Sequence, residues 1–122
     1  MPEQGGQRRE GRFKPRRPVY GAINPGLTAV GLENLSRSGM SLLYFSDSGG
    51  PQPIREVFLL LDGFVHRLPG GAFCVVHDSA VRGLARNGRQ LRRAGIRFRG
   101  RPFEWLFARV RKNRDRVAAV VV

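Results

Sequence analysis

Apolar residues recur along the middle of the chain in short runs separated by turn-forming residues. The runs are Val19–Ile23, Thr28–Leu35, Met40–Phe45, Arg55–Leu61, Ala72–His77, Ala80–Ala85 and Gln90–Phe98. Their spacing is nearer two than 3.6, the period of strands with one face on a core and one in water. Between them lie Asn24-Pro25-Gly26, Ser36–Gly39, Ser46–Pro53, either Asp62-Gly63 or Leu68–Gly71, and Asn87-Gly88. Asn87-Gly88 is the best hairpin signal, because a type I′ turn needs positive φ at both central residues. Six or seven short strands at this spacing predict an all-β fold, a small antiparallel barrel or sandwich.

The two ends break the pattern. Residues 1–17 are polar, Gly-rich and basic, and Pro15 and Pro18 argue against a helix, so a flexible basic arm is expected there. From Pro102 the period changes: Phe103, Leu106, Phe107 and Val110 follow the i, i+3, i+4, i+7 rule of an amphipathic helix. Arg109, Arg111, Lys112 and Arg114 follow, where cations complement a helix dipole. The expected organisation is an arm over 1–17, a β domain over 18–101, a helix over 102–114 and a tail over 115–122. No apolar stretch follows Met1, so no signal peptide is expected. No run approaches the roughly 20 residues that span a bilayer.

Composition sharpens this in one respect. The 122 residues carry a formal charge of +13, which calls for an anionic partner. Residues 1–17 carry net +4, residues 18–81 net −2 and residues 82–122 net +11, and Lys14 and Lys112 are the only lysines. Arginine brings a planar five-donor fork suited to phosphates and guanine edges. The single cysteine, Cys74, rules out an internal disulfide and fits a cytoplasmic setting.

Catalytic chemistry finds little footing. His66 and His77, the only histidines, have no partner at metal-ligand spacing. Cys74 sits in an apolar run, Asp62 precedes Gly63 as a turn residue does, and no Walker loop or nucleophile elbow occurs. The expectation is a binding protein, not an enzyme, with no metal and no cofactor.

Two polar segments carry the binding expectation: Arg8-Arg9-Glu10-Gly11-Arg12 in the arm, and Asn34-Leu35-Ser36-Arg37-Ser38-Gly39 at a strand end, beginning 22 positions after Arg12. Alone, the first is a basic tail and the second a polar turn, with Gly39 supplying positive φ. In this order and spacing they resemble the PilZ family signature, RxxxR followed by [D/N]xSxxG. The strand after Gly39, the late Gly95-Ile96-Arg97-Phe98 and the helix beyond it also resemble that family, so the likeness spans roughly residues 7–114.

The resemblance implies a six-stranded antiparallel Greek-key-like barrel with a short C-terminal α-helix. It also implies a receptor for the bacterial second messenger cyclic di-GMP, often taken up as an intercalated dimer. Arg8, Arg9 and Arg12 would grip its phosphates and guanines; Asn34 and Ser36 would meet a guanine edge or the ribose-phosphate. Gly39 would let the backbone turn close to the ligand. Asn34 replaces the commoner aspartate, so its contact with guanine N–H groups loses a formal charge. The downstream partner would be a protein acting in motility, biofilm or exopolysaccharide control. Two alternatives stay open. One is a small barrel binding RNA or single-stranded DNA through the basic C-terminal third, with Phe98, Phe103 and Trp105 among its arginines. The other is a PilZ-like protein–protein adaptor that needs no ligand.

Overall fold

A computed structural model of the protein describes residues 14, 15, 17–100 and 108. Seven strands form one antiparallel sheet: β1 (Tyr20–Asn24), β2 (Thr28–Leu35), β3 (Gly39–Ser46), β4 (Glu56–Leu61), β5 (Phe64–Pro69), β6 (Phe73–Arg86) and β7 (Arg89–Phe98). Their spatial order is β5-β4-β1-β2-β3-β7-β6. A 3-10 turn, Gly70–Ala72, joins β5 to β6, so these two edge strands are linked by three residues. The Arg99 N–H bonds the Ala72 carbonyl at 2.8 Å at that junction.

The period-two pattern translates directly into burial. Val57, Leu59 and Leu61 of β4 and Met40, Leu42 and Tyr44 of β3 point inward, and their neighbours do not. The core unites these with Ile23, Leu35, Leu68, Phe73, Ile96 and Phe98. Residues of both edge strands, Leu68 of β5 and Phe73 of β6, belong to it, so the sheet coils around its own inner face. Each fully buried leucine contributes about 1.5–3 kcal/mol, which makes this inner face the main source of stability.

Several expectations need correction. The strands number seven, not six, and the hydrogen-bonded ladder is open, with β5 and β6 as its edges. β5 escaped the pattern because Phe64 and Val65 are both 66% exposed and Leu68 alone of its residues is buried, so its apolar residues show no period. Ala72–His77 and Ala80–Ala85 are parts of one strand, β6, interrupted by a register shift between Ala80 and Ala85. The tight turns fall as expected: Asn87 and Gly88 take φ of 53° and 75°, Asp62 and Gly63 of 53° and 81°. Of the expected helix over 102–114, only Ala108 is described; the arm through Phe13 and the tail lie outside the described residues. No helix among the described residues is long and apolar enough to cross a membrane.

Candidate functional site

The β2–β3 pairing holds the first element of the site. Leu32 pairs with Leu42 and Asn34 with Ser41, so Glu33 is an extra residue, a β-bulge. Without it, Asn34 would face the core together with Val30 and Leu32. With it, Leu35 turns inward and is fully buried, while Glu33 and Asn34 both remain partly exposed on the outer face. The Asn34 side chain makes no hydrogen bond to a described residue.

Ser36 to Gly39 form the turn into β3. The Ser36 N–H donates to the Gly39 carbonyl at 2.9 Å, and the Ser36 hydroxyl lies 3.4 Å from both that carbonyl and the Ser38 hydroxyl. Ser36 is only 4% exposed, so it braces the turn. Gly39 corrects an expectation: its φ is not positive. A side chain there would strike the Ile96 carbonyl oxygen. Glycine is required because the β7 backbone passes so close.

β7 supplies what the sequence reading overlooked. Arg93, Gly95 and Arg97 alternate along it and so share the outer face. Arg97 pairs with Gly39 and Cys74, Gly95 with Ser41 and His77, and Arg93 with Leu43 and Ser79. The signal was available, since Arg93-x-Gly95-x-Arg97 has the period of one strand face. A second bulge, at Val76, brings His77 opposite Gly95, and the imidazole stands where a Gly95 side chain would be. Gly39, Ser41 and Gly95 thus form a floor of small residues. Asn34 flanks it on one side and His77 on the other, with Arg93 and Arg97 along β7. The resulting trough has a volume of about 490 Å³, within the usual range for small-molecule sites.

Its electrostatics are asymmetric. Arg93 makes a two-pronged bond to Glu33, at 2.6 Å to Oε1 and 2.7 Å to Oε2, and the Ser41 hydroxyl donates to Oε1 at 2.9 Å. The Arg93 guanidinium holds the Glu33 carboxyl below its ordinary value, against the opposing effect of burial. Lys14 adds a further, smaller lowering charge. Arg97, by contrast, is exposed and makes no ion pair with a described residue.

Arg92, next along β7, faces inward and belongs to a structural network. Its Nε donates to Asp78 Oδ1 at 2.6 Å and its guanidinium to the Gly49 carbonyl at 3.0 Å. The Tyr44 hydroxyl donates to Asp78 Oδ2 at 2.5 Å and accepts from the Gln52 N–H at 3.0 Å. Burial and the Asp78 carboxylate raise the Tyr44 pKa. These bonds tie the loop between β3 and β4 to β6 and β7.

The trough therefore brings together Asn34, Ser36 and Gly39 of the expected site residues. Arg8, Arg9 and Arg12 lie outside the described residues. Cys74 is half-buried and free of a disulfide. No group of three His, Cys, Asp or Glu side chains among the described residues is placed to hold a metal ion. No protein-family model matches the chain, and neither a curated protein nor a solved structure matches it.

Proposed function

We propose that this chain is a non-catalytic receptor for cyclic di-GMP of the PilZ type, acting on a partner protein in bacterial signalling. The finer fold belongs to the same proposal: a barrel of that kind, with residues 102–114 as its helix, in the cytoplasm. The observation that carries it is the trough. Asn34 and the Ser36–Gly39 turn open onto the same recess as Arg93 and Arg97, and Lys14, two residues after Arg12 in the chain, adds a positive charge felt by Glu33 in its wall.

The chemistry suits the ligand. Cyclic di-GMP presents two phosphates and two guanines. Arginine forks from the arm bond phosphate or guanine O6/N7 in a two-pronged way. Asn34 offers a guanine edge an amide that has no hydrogen-bond partner among the described residues. Ser36 holds the turn that presents it, and Gly39 lets β3 and β7 close up beneath the ligand. Closure of the arm over the bound nucleotide is the event a partner reads.

A thermal shift assay tests this reading. Cyclic di-GMP at a hundredfold excess over its Kd stabilises the folded state by about 2.7 kcal/mol, a rise of several degrees in Tm, while GTP and cyclic GMP at equal concentration give less. Equal shifts with all three nucleotides, or none, contradict it.

A further inference from the structure

The β6–β7 side of the trough has features that the two sequence motifs leave unused. His77 is exposed, yet its ring stands over Gly95, where any side chain would collide with it. The floor beside it is Ser41 and Gly95, and Asn34 lies across in the same cross-strand row, Asn34–Ser41–Gly95–His77. Four adjacent strands at about 4.8 Å spacing place roughly 14 Å between the backbones of Asn34 and His77. One row along, Arg97 stands exposed beside Gly39. The acids Glu33, Asp47, Glu56 and Asp78 are each paired with a different arginine, Arg93, Arg89, Arg67 and Arg92. None of them neutralises Arg97.

An exposed aromatic ring beside a floor of small residues is a surface against which a base stacks, and histidine serves in that role. A guanidinium one row away, with no ion pair among the described residues, is a donor fork for the attached phosphate or for a guanine edge. We propose that His77 and Arg97 form a second half of the binding site: His77 stacks on a purine base of the ligand, and Arg97 bonds the same nucleotide's phosphate or base edge. This rests on the trough being a nucleotide site, and it adds to the arm's contacts a stacking surface on β6 and a charged contact on β7. Gly95 acts through His77, as the position that leaves room for the ring.

Calorimetric titration of the full chain with cyclic di-GMP tests the proposal, repeated over a range of salt. His77→Ala weakens binding about tenfold or more, the usual size of a lost base–aromatic stack, without changing the salt dependence. His77→Phe restores affinity to within about threefold, because a ring remains. Arg97→Ala weakens binding and flattens its salt dependence, the mark of a lost charge contact; Arg97→Lys recovers the salt dependence but not the full affinity. Both side chains are exposed, and an unchanged Tm of the free variants verifies that they fold. Wild-type affinity in His77→Ala, or His77→Phe as weak as His77→Ala, overturns the stacking role. Unchanged affinity and salt dependence in Arg97→Ala overturn the arginine's role. In either case the receptor reading survives, whereas a wild-type chain with no saturable binding overturns that reading and this proposal together.

Discussion

Gly39 illustrates how one residue carries two demands. It closes the Asn34–Gly39 motif, and its missing side chain admits the Ile96 carbonyl of the neighbouring strand. Gly39→Ala therefore costs stability, about 1–3 kcal/mol by overpacking, and urea unfolding of the free protein measures it. Full stability with reduced ligand affinity would instead show that the glycine serves only the ligand. Glu33 makes a second prediction at this scale. Its folded pKa lies below the ordinary value near 4.5, so below 4.5 the unfolded chain binds the proton more readily. The stabilisation is fully present above that value and is lost as pH falls through the depressed folded value. Glu33→Gln removes this part of the acid sensitivity, read as a flatter Tm-versus-pH curve below pH 4.5. An unchanged curve would mean that the Arg93–Glu33 pair contributes nothing to stability. The motif's spacing singled out both Ser36 and Asn34, and both line the trough. Their different roles were not legible there, because burial at the turn and the bulge at Glu33 are settled by pairing with β3.

At the scale of elements, the strands most legible in the sequence were those with one clean face, β2, β3, β4 and β7. β5 was not, because its apolar side chains lie mainly outward. β6 read as two strands because its ladder with β7 breaks between Ala80 and Ala85. The bulge in β2 left a trace in the sequence: Leu32 and Leu35 are three apart where a regular strand would bury residues two apart. The inward Tyr44–Asp78–Arg92 network needed the fold, since its members lie on three strands. Asp78 and Arg92 are 10% and 9% exposed at their side chains. Removing one partner leaves a buried charge uncompensated, so Asp78→Ala is expected to cost about 3–5 kcal/mol. Tyr44→Phe, which strands one acceptor and one donor, costs about 1–3 kcal/mol. Denaturant unfolding of both variants checks the order; Tyr44→Phe as damaging as Asp78→Ala would contradict an ion pair at the network's centre.

For the whole molecule, the charge pattern and the fold point the same way. Glu33, Asp47, Glu56 and Asp78 of the middle segment are spent on named arginines, and on the outer face over β2, β3, β7 and β6 Arg97 stands exposed at a trough with small residues along its floor. The net +11 of residues 82–122 includes Arg92 and Arg93, which are structural or paired, so the excess charge alone overstates the anion site. A small cyclic dinucleotide releases few counterions, whereas RNA binding along a basic stripe would involve many phosphates and a steep salt slope. The central claim is best tested by calorimetric titration of cyclic di-GMP at moderate salt into the wild-type chain and into Arg8→Ala/Arg12→Ala. Saturable binding that the double substitution abolishes or weakens by orders of magnitude is the predicted result. Absence of saturable binding, unchanged binding in the variant, or RNA bound in the same range with cyclic di-GMP a poor competitor would contradict it.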